Sequence, residues 1–149
     1  MWDAAADLAG VHKYWGMVKA SHLSSEKATG LGASRICEML DGSSMEETII
    51  QWDQGKSYAL DTHPIGTNEG PFKTTIGRFA FHPEGSGTRF VLDLDFEMKP
   101  GREQELPARS AELDMACKSF VNGLKTHVET GHALTLEQKQ AAMAAMMSQ

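Results

Sequence analysis

At 149 residues, with 41% hydrophobic and 23% charged residues, the chain has the size and composition of one folded domain with its own core. Its 20 acidic and 14 basic residues give a formal net charge of −6. An acidic chain without a Lys/Arg cluster is poorly suited to nucleic acid or to an anionic membrane, since both require concentrated positive charge. No signal peptide and no bilayer-spanning apolar run are evident, so we expect a cytoplasmic protein without integral membrane association.

The amino-terminal part is predicted to be helical and then to change to strands. Trp2 and Leu8 can share one side of a short helix, and Val11 and Trp15 one face of a second turn. Beyond Gly16 the hydrophobic period becomes two, which is typical of strands. Turn residues separate six predicted strands, which cover residues 17–27, 33–40, 45–52, 57–63, 72–82 and 88–98.

Two of the connections between these strands are predicted to be hairpin turns. Asp41 and Gly42 give a strong short-range hairpin signal, with a loop expected at residues 41–43. Residues 83–87 predict a longer hairpin turn. The strand that follows has the clearest alternation in the chain, so one of its faces is expected to be buried; that face carries Phe90, Leu92, Leu94, Phe96 and Met98.

Residues 106–130 predict one long helix of ~37 Å, which begins near Pro107 and ends at Gly131. Its apolar stripe consists of Leu113, Ala116, Cys117, Phe120, Leu124 and Val128. Short strands followed by a long helix predict an α+β fold, a curved antiparallel sheet of six to seven strands wrapped around that C-terminal helix. After it, residues 135–138 have the form of a capping box and predict a short extra helix; a frayed tail is the alternative.

Several short motifs, taken in order, resemble the START-like or SRPBCC superfamily, in particular bacterial polyketide cyclase/dehydrase-like and MxaD-type proteins. The resemblance covers residues 2–129, and its motifs are Trp2-Asp3, His12-Lys13-Tyr14-Trp15, Gly32 with Arg35, Leu40-Asp41-Gly42, Gln51-Trp52-Asp53, Tyr58-Ala59-Leu60 and Gly87-Thr88-Arg89-Phe90. It implies a helix-grip fold with a hydrophobic cavity, a domain at residues 1–131 and a helical tail at 132–149. In that family a further strand precedes the Trp2 region. We therefore expect either a truncated sequence or a sheet gap covered by the tail helix or by a second copy of the chain.

The cavity that the resemblance implies would be lined by the inward faces of the strands and of the long helix. A three-residue loop at 41–43 would place Arg35 and Glu47 diagonally on the inner face, where they could orient the polar end of an oily ligand. A slip of one residue would instead turn both outward as a surface pair. The predicted lining is Arg35, Cys37, Met39, Met45, Glu47, Ile49, Tyr58, Leu60, Phe90, Leu92, Leu94, Phe96, Leu113, Cys117, Phe120 and Leu124.

The predicted function is the binding of a small hydrophobic or amphipathic molecule, with no cofactor and no metal site. His63 is interpreted as a surface residue rather than a general base, and Cys37 and Cys117 as reduced, buried thiols rather than a disulfide. Two other classes of function stay open. The first is an aromatase/cyclase-type enzyme that uses Arg35, Glu47 or Tyr58. The second is an interaction module, with a homodimer formed through an open sheet edge or the C-terminal helix.

Overall fold

A computed structural model of the protein describes residues 1–66 and 70–147. Its strands are β1 Val18–Leu23, β2 Ser34–Met39, β3 Ser44–Asp53, β4 Ser57–Pro64, β5 Phe72–Glu84 and β6 Gly87–Met98. They form one open antiparallel sheet in which every strand pairs with the next in sequence, so β1 and β6 are its edges. All six strands are predicted by the sequence to within a few residues, and the α+β helix-grip class is confirmed.

The helices lie at the two ends of the chain. Helix α1 covers Trp2–Ala6 and leads into a 3-10 segment at Leu8–Lys13; the long helix α2 covers Leu106–Thr130, and α3 covers Leu136–Met147. Helix α2 has the predicted bounds, because a proline in its first turn and a left-handed Gly131, with φ of 74°, mark its two ends. Helix α3 also forms: the Thr135 N–H donates to Gln138 Oε1 and the Gln138 N–H to Thr135 Oγ1, which is the predicted capping box.

The apolar stripe of α2 packs on the sheet through Phe120 and Leu124, which are buried. Val128 was predicted to continue this stripe but is 39% exposed. His127 takes the inward position instead, with its ring stacked on Tyr14 at a centroid distance of 5.7 Å. The stripe therefore advances by three residues rather than four in its last step.

Gly123 lies where α2 passes closest to the amino-terminal segment. A Cβ atom on this residue would be 1.9 Å from the carbonyl oxygen of Tyr14. No side chain fits in that space. Close packing therefore explains a glycine in a helix interior, where it ordinarily costs about 1 kcal/mol relative to alanine.

The β2–β3 hairpin has a three-residue loop, but one residue earlier than predicted. The Met39 N–H donates to the Ser43 carbonyl oxygen at 2.8 Å, so residues 40–42 form the loop. Gly42 adopts a φ of 90°, and the Asp41 carboxylate accepts the Ser43 N–H at 2.9 Å. These two local features fix the loop at this position.

The β5–β6 turn is shorter than the sequence predicts. Glu84 pairs with Gly87, so that two residues rather than five form the turn. Gly85, the first of them, has a φ of 58°. Two-residue hairpin turns require a positive φ at this position, which is why the glycine allows both strands to extend.

Candidate ligand-binding cavity

Two segments of the chain cover the inner face of the sheet. The amino-terminal segment covers one part of this face, and α2 covers the other. The Tyr58 hydroxyl donates to the Ala5 carbonyl oxygen at 3.1 Å, and Arg35 Nη1 donates to the Leu8 carbonyl oxygen at 3.2 Å. Ala5 and Leu8 are themselves fully buried. This part of the sheet is therefore packed solid by α1 and the 3-10 segment.

Between the second part of the sheet and α2, the packing leaves a cavity of about 210 Å³. Its wall is mainly apolar, with aromatic rings and methionine side chains, and it contains the polar side chains of Glu47, Thr62 and Thr75. The full lining is Trp15, Met17, Met39, Met45, Glu47, Thr62, Thr75, Gly77, Phe79, Leu92, Leu94, Leu113, Ala116, Cys117 and Phe120.

A larger and more polar vestibule of about 620 Å³ shares part of this wall, including Met39, Met45 and Leu113. Charged side chains such as Lys73 and Glu112 border the vestibule but not the inner cavity. The arrangement gives an apolar chamber beside a more polar vestibule.

Arg35 and Glu47 form a buried ion pair at the boundary between the solid part and the cavity. They lie directly opposite each other on β2 and β3, and not diagonally as predicted, because the hairpin loop is one residue earlier. Cys37 correspondingly pairs with Met45 rather than with Glu47. The register differs from the predicted one by two residues, so both charged side chains still point to the inner face. The outward surface pair is excluded.

Glu47 is held from several directions. Its Oε1 accepts from Arg35 Nε at 2.9 Å and lies 2.8 Å from Arg35 Nη2, while its Oε2 accepts from the Thr62 hydroxyl at 2.8 Å. The Cys37 thiol lies 3.7 Å from Oε1, and burial, together with this carboxylate, raises the pKa of the thiol to about 12. Arg35 is 1% exposed and Glu47 6%. A charge pair so deeply buried is stable only while both partners are present.

Three polar groups around the site are buried without a hydrogen-bond partner in the described part of the chain. They are Arg35 Nη2, which has only the charge contact with Glu47, the Trp15 indole Nε1 and the Tyr14 hydroxyl. Burial raises the pKa of Tyr14 to about 12. Trp15 belongs to the cavity wall, and a buried donor without an acceptor costs about 1–3 kcal/mol, so a ligand with an acceptor atom could recover part of that cost.

Half of the sixteen predicted lining residues border the cavity: Met39, Met45, Glu47, Leu92, Leu94, Leu113, Cys117 and Phe120. The other eight border neither the cavity nor the vestibule: Arg35, Cys37, Ile49, Tyr58, Leu60, Phe90, Phe96 and Leu124. Most of these belong to the buried core, where the amino-terminal segment or neighbouring rings cover them. Phe96 packs instead on Phe72, at a centroid distance of 5.6 Å.

Some lining residues were missed by the sequence analysis. Thr62 follows Tyr58 and Leu60 at even spacing on β4, and Phe79 alternates with Phe81 on β5, so strand periodicity could have found both. Met17 begins the strand predicted at residues 17–27 but lies one residue before β1, and the sequence analysis did not assign it to the inner face. Gly77 borders the cavity opposite Leu94, and a Cβ atom there would lie 3.0 Å from the Phe79 ring.

His63 does not form an acid/base pair with Asp61. Its Nε2 lies 3.3 Å from Glu46 Oε1, and half of its side chain is exposed. Cys37 and Cys117 are free thiols; Cys37 is buried, as predicted, whereas Cys117 is only partly buried. None of the described helices is long and apolar enough to cross a membrane.

The sheet, the long helix packed on it and the apolar cavity between them define a helix-grip protein. The sequence profile of the family described as "Polyketide cyclase / dehydrase and lipid transport" matches residues 1–129. The chain therefore belongs to this family of the START-like SRPBCC superfamily, which confirms the resemblance seen in the sequence. No curated protein sequence matches the chain.

Solved structures with the same fold come from diverse proteins. DynU16, a protein of the dynemicin biosynthetic locus, has a TM-score of 0.64 at 21% identity; the match covers 89% of this chain and 43% of DynU16, so the chain spans less than half of that protein. TTHA0849 from Thermus thermophilus has a TM-score of 0.64 at 23% identity, over 87% of this chain and 88% of that one. The major latex-like protein 151 of Panax ginseng has a TM-score of 0.59 at 16% identity, over 85% and 89%. At these identities the likeness establishes the fold alone.

Proposed function

We propose that the protein binds a small hydrophobic or amphipathic molecule in the cavity between the sheet and α2. The observation that carries this proposal is the apolar chamber of about 210 Å³ beside a buried carboxylate that is ion-paired with Arg35. An empty apolar chamber forfeits dispersion contacts, and a ligand that fills it would gain free energy from buried apolar area. Cytoplasmic location belongs to the same proposal, because Cys37 and Cys117 would stay reduced there.

The proposal is tested by native mass spectrometry of the protein purified without denaturant, searching for a retained small molecule. Leu94 lies in the cavity wall, so Leu94→Trp should fill the chamber and abolish retention. Asp93→Trp is the matched control, since Asp93 is exposed and belongs to the opposite face of the same strand. Equal retention by both folded variants, or none by the wild type together with no uptake of small aromatic probes, would contradict the proposal.

A cyclase-type enzyme is the second candidate, and the observation that favours it is the position of Glu47 in the cavity wall. Under this candidate, Glu47 exchanges a proton with a reactive polyketone bound in the chamber. Glu47→Gln would then abolish turnover and leave binding in place, whereas for a carrier it would change affinity alone. Tyr58 is less suited to this role, because its hydroxyl is already bonded to Ala5.

A further inference from the structure

The charged group in the cavity wall is a hydrogen-bond acceptor, the Glu47 carboxylate. Its cationic partner, Arg35, does not border the cavity. Glu47 belongs to the cavity wall, whereas Arg35 borders neither the cavity nor the vestibule and donates to the Leu8 carbonyl oxygen. The hydroxyl-bearing wall residues are Thr62 and Thr75. A ligand therefore meets a carboxylate before it meets any guanidinium.

Glu47 retains capacity to accept one more hydrogen bond. Each oxygen of an ionised carboxylate has two acceptor positions. Oε1 accepts from Arg35 Nε and from the Cys37 thiol, and Arg35 Nη2 lies 2.8 Å from it without hydrogen-bond geometry; within residues 1–66 and 70–147 the Thr62 hydroxyl is the sole donor to Oε2. We propose, resting on the proposed function above, that the ligand presents a neutral hydroxyl group to Glu47 Oε2.

Charge balance selects a neutral donor over an ion. Arg35 and Glu47 together carry no net charge, so a carboxylate ligand would add an uncompensated negative charge beside Glu47. An ammonium ligand would add a net positive charge to the same desolvated site. A hydroxyl avoids both penalties, and it can also accept a hydrogen bond, which suits the unpartnered Trp15 Nε1 in the same wall.

The size and the chemistry of the wall favour one or two aromatic rings. A cavity of about 150 Å³ is known to bind benzene, and this one measures about 210 Å³. Phe79, Phe120 and Trp15 offer ring faces and edges, while Met17, Met39 and Met45 offer adaptable sulfur contacts. The inferred ligand class is a phenol or naphthol without an ionised group at its inner end.

The test measures the affinity of the full chain for three probes that share a naphthalene ring, by fluorescence titration. The probes are naphthalene, 2-naphthol and 2-naphthoate. We expect 2-naphthol to bind at least about tenfold more tightly than naphthalene, as for a hydrogen bond to a charged acceptor, and 2-naphthoate to bind most weakly. Equal affinity for naphthalene and 2-naphthol, or tightest binding of 2-naphthoate, would overturn the inference while leaving the proposed function intact. Failure of all three probes to bind would overturn the inference, and it would overturn the proposed function as well only if the wild type also retained no small molecule in native mass spectrometry.

Variants connect the preference to Glu47. The double variant Arg35→Met with Glu47→Leu removes both buried charges, so it avoids an unpaired ion and should lose the preference for 2-naphthol. Glu46→Gln is the matched control on the outer face of the same strand, and it should keep the preference. Retention of the preference by the folded double variant would overturn the assignment to Glu47. The wild-type comparison decides the question alone if the double variant does not fold.

A second, independent observation concerns the carboxy-terminal segment, which lies outside the residues that the family profile matches. Lys139 on α3 is 3% exposed, and its Nζ donates to the carbonyl oxygens of Val18, at 2.8 Å, and of His12. The Leu134 N–H donates to the Lys13 carbonyl oxygen at 2.8 Å. These bonds fall on both sides of residues 14–17.

Residues 14–17 include Trp15 and Met17, which are two residues of the cavity wall. We infer that α3 acts as a strap, which means that its bonds hold residues 14–17 in place. Lys139 positions the part of the cavity wall that these residues form, and release of α3 loosens it. Lys139 is a positioning residue here, since it acts on the cavity through the backbone of residues 12–18 and borders neither the cavity nor the vestibule.

Hydrogen exchange of the full chain tests the strap, with Lys139→Met compared with Gln140→Met, a change at the exposed neighbouring residue. We expect Lys139→Met to raise exchange about tenfold in residues 12–18 as well as 136–147, and to speed 2-naphthol dissociation. The Gln140→Met variant should match the wild type. Faster exchange in 136–147 alone, or no change in either segment, would overturn the strap even if the probe binds normally.

Discussion

Replacing Gly123 by alanine is a test of how tightly α2 is held against the amino-terminal segment. On helix propensity alone, Gly123→Ala should stabilise the protein by about 1 kcal/mol. The added Cβ atom, however, would lie 1.9 Å from the Tyr14 carbonyl oxygen. The contact is with backbone, so rotation of a side chain cannot relieve it.

The geometry indicates that the steric cost exceeds the gain. Restoring an ordinary contact of 3.4 Å requires the helix and the Tyr14 backbone to separate by about 1.5 Å. Such a shift would disturb the packing of the Tyr14 ring on Phe120, whose centroids are 5.4 Å apart. Overpacking by one methylene costs about 1–3 kcal/mol, and this overlap is at the severe end, so we expect a net loss of about 2 kcal/mol.

Urea unfolding followed by circular dichroism measures the change, with Asn122→Ala as the matched control. Asn122 is the exposed neighbour on the same helix, and its replacement should stabilise by about 0.5 kcal/mol. Because Phe120 also lines the cavity, Gly123→Ala should in addition weaken probe binding. An alanine variant at 123 that is as stable as the control variant, with unchanged probe affinity, would refute the close packing of α2.

Three other predictions concern the buried polar groups. Arg35→Met leaves the Glu47 carboxylate buried without its partner and should cost about 3–5 kcal/mol in urea unfolding, with most of it recovered when Glu47→Leu is added; a loss below about 1 kcal/mol would contradict this. Burial raises the pKa of Tyr14 from its ordinary value of 10.0 to about 12, so the contribution of this residue is intact below pH 10 and is lost as the pH rises through 12. Tyr14→Phe should therefore lose less stability than the wild type between those values, by up to about 2–3 kcal/mol, and parallel alkaline unfolding curves would refute it. Since Cys37 is fully buried and its pKa is raised to about 12, iodoacetamide should label the half-buried Cys117 first, as peptide mass spectrometry would show; the reverse order would be evidence against the burial of Cys37.

Local sequence patterns were enough to predict the elements of this fold. The alternation of β6 places Phe90 and Leu94 on one face, and α2 brings Phe120 to the same side: the Phe90 and Phe120 centroids are 6.1 Å apart, and Leu94 and Phe120 share the cavity wall. Pro107 and Gly131 defined the helix bounds because each acts on its own backbone position. The hairpin loop between β2 and β3 was placed one residue late, because the pattern around Asp41 allows two positions for three loop residues.

The division of the inner face into a solid part and a cavity could not be predicted from periodicity. Alternation shows which side chains point inward, but not what covers them. The bond between Tyr58 and Ala5 joins residues 53 positions apart, and the Arg35 bond to Leu8 spans 27. Such contacts depend on where the short α1 and the 3-10 segment fold back, and the residues they cover, among them Tyr58, became core instead of cavity wall.

The position of the amino-terminal segment also determines which member of the buried ion pair borders the cavity. Arg35 and Glu47 face each other across β2 and β3, so either could have met a ligand. The Leu8 carbonyl oxygen accepts Arg35 Nη1 on the side of the amino-terminal segment, and the guanidinium is therefore held away from the chamber. Thr62 holds Glu47 from the other side, on β4, where both side chains border the cavity. A guanidinium in the wall would favour an anionic ligand, whereas a carboxylate favours a hydrogen-bond donor. Under the proposed function, the bond between Arg35 and the Leu8 carbonyl oxygen, outside the cavity, would therefore influence which ligand the cavity accepts.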